Sequence, residues 1–136
     1  MTHKGRGGAI ISNGNTNAIG IHATGPGRVD LTGGSVVTNG GDGLSAEGGG
    51  EIVARGLVVD SLGAKSSGVW SSGVGSSIVI TDATVTAAGD VGGALVAAGG
   101  GMIIGEGLVL STQGVIGQSH VVLAVGSGSR IEVSNS

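Results

Sequence analysis

Few residues in this chain could do chemistry: nine carboxylates, three histidines, a run of serines and several glycine-rich turns. Glycosidic or eliminative chemistry needs two carboxylates facing each other across a bond, or a calcium site with a basic residue nearby. The acids are Asp30, Asp42, Asp60, Asp82, Asp90, Glu47, Glu51, Glu106 and Glu132. Asp30 and Glu132 share a column of the repeat described below but lie four coils apart, about 19 Å at the spacing of stacked strands. Asp60 and Asp82 come from adjacent coils and from different columns. Glu47 and Glu51 flank a glycine turn, where Arg28 or Arg55 of the neighbouring strand can meet them. These read as solvated turn acids. An acidic cleft built from Glu47, Glu51, Asp42 and Asp60 is what an enzyme would need.

The other motifs point the same way. His3, His22 and His120 are scattered over the chain, cysteine is absent, and no His-x-x-x-His spacing suggests a metal site. The serines of SSGVGSS (71–77) have no histidine within reach and read as a turn, and no Gly-x-Ser-x-Gly elbow occurs. Asn39-Gly40-Gly41-Asp42-Gly43-Leu44 matches a calcium-binding nonapeptide only superficially, because such ions sit between tandem copies and there is one copy here. Gly105-Glu106-Gly107 lacks the strand-then-helix setting of a phosphate loop. Thr84-Val85-Thr86 resembles one rung of an ice-binding array, but the equivalent rungs do not repeat it. No catalytic residue, cofactor or metal ligand is expected.

The elements that would position these groups recur about every two dozen residues. Gly20-Ile21-His22-Ala23 aligns with Gly43-Leu44-Ser45-Ala46, Gly68-Val69-Trp70-Ser71, Ala94-Leu95-Val96-Ala97 and Val121-Val122-Leu123-Ala124. A second column runs Val29, Ile52, Ile78, Ile103, Ile131, and a third Val37, Val59, Val85, Leu110. Each apolar run is four to six residues with period-two alternation, and Gly, Asn, Asp or Ser ends it. Three short strands per repeat, stacked in register, predict an all-β right-handed parallel β-helix (β-solenoid) of about five coils of 23–27 residues. Residues 1–17 read as a partial N-terminal coil behind an added Met1, with Gly8–Ser12 its remnant, and residues 18–136 as the β-helix fragment.

Composition fits a narrow tube filled with aliphatic rows. Glycine takes 32 of 136 positions, Trp70 is the lone aromatic, and Val, Ile, Leu and Ala must fill the interior. A hydrophobic fraction of 39% against 11% charged argues against disorder. The net charge of −3 disfavours nucleic acid. No apolar run is long enough to insert into a membrane, and the first eight residues have no hydrophobic stretch of a secretory signal.

Outward columns should be polar where water touches them, yet several positions are not. One reads His22, Ser45, Trp70, Val96, Leu123; the next Asp30, Val53, Val79, Ile104, Glu132; a third Val36, Val58, Thr84, Val109. Trp70, Val96, Leu123, Val53, Val79 and Ile104 therefore form the candidate interaction face, covered by another chain or by another part of the parent protein.

The phrase Gly-aliphatic-x-Ala-x-Gly-x-Gly-x-Ile-x-aliphatic…Val-x-Thr-x-Gly, carried by GLSAEGGGEIVARGLVVDSLG (43–63), GVWSSGVGSSIVITDATVTAAG (68–89) and ALVAAGGGMIIGEGLVLSTQG (94–114), resembles the passenger domain of pertactin-like autotransporters. The resemblance covers roughly residues 18 to 133. It implies a passenger segment on the surface of a Gram-negative bacterium or secreted from it, exported through an outer-membrane barrel. The expected role is non-enzymatic: adhesion or self-association, with a host protein, a glycan or another copy as partner. A carbohydrate-active β-helix enzyme and an inert stalk are the alternatives. No Arg-Gly-Asp tripeptide is present, so no integrin-type motif is carried over.

Overall fold

The computed structural model describes residues 2–6, 9–12, 19–64, 66–89, 91–113 and 118–136. Among the described residues sixteen strands follow one another in three-strand coils: β1 (Thr2–Arg6), β2 (Ala9–Ser12), β3 (Ile21–Thr24); β4 (Arg28–Thr32), β5 (Ser35–Thr38), β6 (Leu44–Glu47); β7 (Glu51–Arg55), β8 (Val58–Ser61), β9 (Val69–Ser72); β10 (Ser77–Thr81), β11 (Thr84–Ala87), β12 (Val91–Ala98); and β13 (Met102–Glu106), β14 (Val109–Thr112), β15 (Gln118–Val125). β16 (Arg130–Ser134) opens a sixth. Every third strand pairs in parallel, so β1-β4-β7-β10-β13-β16 form the first sheet, β2-β5-β8-β11-β14 the second and β3-β6-β9-β12-β15 the third. The chain is a parallel β-solenoid with three strands per coil. Ala9–Ser12 pairs in parallel with Ser35–Thr38.

Two of the three inward columns stand as the sequence implies. Val29↔Ile52↔Ile78↔Ile103↔Ile131 and Ile21↔Leu44↔Val69↔Leu95↔Val122 are consecutive register partners. Ile52, Ile78, Ile103, Leu44, Val69 and Leu95 are all fully buried. Each such side chain contributes about 1.5–3 kcal/mol relative to exposure, and with no aromatic in the core these rows are its filling.

The third column is corrected by one residue. Val36, not Val37, pairs with Val59 and is buried, while Val37 pairs with Asp60 and turns outward. The outward partners of Val58, Thr84 and Val109 therefore begin with Ser35. The reason is the corner between the first and second sheets, two residues long at each of four described places: Gly33-Gly34, Gly56-Leu57, Asp82-Ala83 and Gly107-Leu108. Its first residue takes a left-handed conformation each time, with φ of 67°, 64°, 50° and 64°. Its second residue is buried as Leu57, Ala83 or Leu108. Gly34 leaves that position without a side chain, which hides the true register from a count of valines.

The corner between the third and first sheets varies. Three residues form it at Gly25–Gly27, Gly48–Gly50 and Gly99–Gly101, and four at Gly73–Ser76 and Gly126–Ser129. Both long turns end in a serine that performs one task. Ser76 Oγ accepts from the Gly49 amide of the short turn below at 2.9 Å and donates to the Ser72 carbonyl at 2.7 Å. Ser129 Oγ does the same with the Gly100 amide at 3.0 Å and the Val125 carbonyl at 2.7 Å. Each long turn thus pins the short turn beneath it.

The bend column Ala23↔Ala46↔Ser71↔Ala97↔Ala124 holds small residues, as expected. Ser71 is its exception, fully buried with an Oγ that has no hydrogen-bond partner. A buried hydroxyl left unpaired costs about 1–3 kcal/mol. Ser71→Ala, which leaves the column all alanine, is expected to stabilise the fold by about 1 kcal/mol, read as a higher midpoint in urea. A midpoint equal to or below that of the parent chain would show that the hydroxyl is paired.

Candidate functional site

The six candidate face residues lie on two sheets. Trp70, Val96 and Leu123 run along the outside of the third sheet, in one register column with His22 and Ser45. Val53, Val79 and Ile104 run along the outside of the first sheet, between Asp30 and Glu132. The glycine turns separate them, so they make two stripes rather than one face.

Exposure divides them further. Val53, Val79 and Ile104 are half-buried, as are Trp70 and Leu123. Val96 is only 3% exposed and cannot be a contact residue. It stands between the larger Trp70 and Leu123, a strand spacing of about 4.8 Å from each. Ser45, between His22 and Trp70, is fully buried for the same reason although it points outward. The sequence signal for both was present: a small residue flanked above and below by long ones.

The first-sheet stripe is closed at both ends by charge. Arg28 Nε lies 3.0 Å from Asp30 and its Nη1 lies 3.2 Å from Glu51. The hydrogen bond it donates to Asp30 and the charges of the Asp30 and Glu51 carboxylates hold the guanidinium above its ordinary pKa. Arg130 pairs with Glu132 at the other end. Such solvent-exposed pairs add little stability, but they keep the stripe's ends polar. Arg28 meeting Glu51 is the contact that the turn sequence suggests. Glu47 instead meets His22, Nε2 to Oε2, at 3.3 Å.

The four acids of the hypothetical cleft are spread over the coil. Glu47 is on the third sheet, Glu51 on the first and Asp60 on the second, while Asp42 lies in the corner leading into β6. The nearest approach to a nucleophilic triad is Ser45, His22 and Glu47 on one outward face. Its serine hydroxyl is buried and bonds to neither partner, so nothing polarises it. Among the described residues no group of three or more histidines, cysteines or carboxylates could hold a metal ion. The side chains of His3, His120 and Asp90 lie outside what is described.

Asp42 is the one carboxylate whose environment the sequence did not single out. Its Oδ1 accepts from the Ser67 amide at 2.6 Å. Burial raises its pKa above the ordinary aspartate value and nearby Glu47 adds to this, against the opposing pull of the Ser67 amide and of His22. The folded state therefore binds the proton more readily than the unfolded state. Stability falls as pH rises from the ordinary aspartate value through the folded one, and at neutral pH that contribution is fully lost. Asp42→Asn keeps an acceptor for Ser67 and removes the charge. It is expected to be more stable than the parent at about pH 7 and to lose the advantage towards about pH 3–4. Urea unfolding across that range checks it, and an unchanged pH profile would contradict the burial penalty.

Among the described residues no helix is long and apolar enough to cross a membrane. Compared with known proteins, the chain matches no family model, no curated protein and no solved structure.

Proposed function

We propose that this solenoid is a non-enzymatic segment of a secreted or cell-surface autotransporter passenger of a Gram-negative bacterium, acting in adhesion or self-association. The observation that carries the reading is the apolar content of outward columns at mid-rod: Val53, Val79 and Ile104 on the first sheet and Trp70 on the third, all half-buried. Water-facing columns of a plain spacer have no need of them, and clustered apolar groups that stay partly open to water mark partner sites. The repeat phrase shared with pertactin-like passengers supports the location.

Light scattering with a hydrophobic dye, alongside adhesion of protein-coated beads to epithelial cells, tests the binding role. Self-association, dye uptake or adherence is expected. A clean monomer that takes up no dye and coats beads that do not adhere would leave only a stalk. The gene tests the location: a signal peptide upstream and alternating amphipathic strands ending in an aromatic residue downstream are expected, and finding neither would overturn it.

A further inference from the structure

We propose that the outer face of the third sheet around Trp70 binds the apolar face of a neutral pyranose within a glycan. The inference rests on the surface-binding reading and names its ligand class. Trp70 is the only aromatic side chain in 136 residues. The core is aliphatic and does not include it. The one indole of the protein is thus placed outward and half-buried, with part of its surface open to solvent, in the middle coil.

Its surroundings suit a sugar better than an apolar partner. An indole offers a flat apolar surface of the size of a pyranose's C–H face, and carboxylate, imidazole and hydroxyl groups beside it can bond the ring's hydroxyls. Ser72 lies two residues along the same strand, on the same face, and Glu47 is the register partner of Ser72. Glu47 therefore stands diagonally from Trp70, about 7–8 Å away along the sheet, close to the span of one sugar ring. His22 holds the Glu47 carboxylate at 3.3 Å while both side chains stay about two-fifths exposed, at 39% and 43%. This fixes an acceptor without covering it.

A second observation concerns the rung beside the indole. Ser45, one rung from Trp70 in the same outward column, has a fully buried hydroxyl with no partner. Such a group is costly to leave unmet, and a small rotation of the indole would open it to a ligand hydroxyl. Glu47 in the site, Asp42 near it and a net charge of −3 disfavour sialylated or sulfated sugars, so the ligand is neutral.

Because Trp70 is the only tryptophan, its fluorescence reports this site alone. The full chain is titrated with cellotetraose, chitotetraose and lacto-N-tetraose to about 50 mM, with a heparin tetrasaccharide as the anionic control. A saturable change in intensity or emission maximum with at least one neutral sugar and none with heparin is expected. Glu47→Gln, which preserves size, should weaken binding about tenfold or more, since a bond to a charged acceptor is lost. Affinity measured by calorimetry should vanish in Trp70→Leu, with circular dichroism confirming that the variant is folded. If Trp70→Leu does not fold, the Glu47→Gln comparison decides. No response to any neutral sugar, or equal affinity in Glu47→Gln, overturns the proposal. Beads that adhere to cells while the sugars give no response overturn the glycan site and leave the adhesion reading standing; sugar binding without bead adherence does the reverse.

Discussion

Ile78→Asp is expected to unfold the central coils, whereas Ile131→Asp should leave a folded protein with a frayed end. Ile78 is fully buried, between Ile52 and Ile103, which are equally buried. A carboxylate placed there has neither water nor a counter-charge, and the cost exceeds about 4 kcal/mol. In a solenoid each coil leans only on its neighbours, so a break at the middle removes support on both sides at once. Ile131 is half-buried and lies in β16, the last strand of the first sheet, with a partner on one side only. Its carboxylate can turn to water, and the loss is about 1–2 kcal/mol. Far-ultraviolet circular dichroism and urea unfolding of both variants make the comparison. Equal losses would refute the inward assignment of this column.

Gly101→Ala is expected to cost about 3 kcal/mol or more, although it adds a single methyl group. A Cβ at Gly101 would stand 2.2 Å from the Ser71 carbonyl oxygen and 2.5 Å from its carbon. Both are backbone of the coil below, so relief requires parting two coils. A Cβ at Gly50 would meet the Ala23 carbonyl oxygen at the same 2.2 Å. The glycine is needed here for close approach rather than for an unusual backbone angle. Gly25→Ala is the control: its φ is +62° but nothing lies within 4 Å of the added carbon, so it should lose only about 1 kcal/mol. If thermal melts rank Gly25→Ala as the worse of the two, the coils are not packed as described.

Much of the fold could be read from the aliphatic columns because their spacing survives unequal coil lengths. The isoleucine column Ile52, Ile78, Ile103, Ile131 is uninterrupted and each member lies inward. The misjudged column shows what defeats such reading. Val36 and Val37 are chemically the same, and only the two-residue corner at Gly33-Gly34 decides which faces in. The candidate face was legible as to direction but not as to exposure. Direction follows from alternation within a strand, whereas the burial of Ser45 and Val96 depends on neighbours about two dozen residues away, His22, Trp70 and Leu123. The raised pKa of Asp42 escaped for the same reason, since its bond to Ser67 spans 25 positions.

The serine that ends each long turn has a consequence for how such a protein can grow. Ser76 serves the Gly49 amide and Ser129 the Gly100 amide, so a long turn is matched to the short one beneath it. The first two turns, Gly25–Gly27 and Gly48–Gly50, are both short and stack without such a serine, Pro26 having no amide to offer one. From Gly48 onward, duplicating or deleting one coil would leave a serine without its amide or an amide without its serine. Duplicating two coils together keeps every match. The module by which this rod can be lengthened or shortened is therefore a pair of coils, and tandem copies gained by recombination should be tolerated at that length and penalised at half of it.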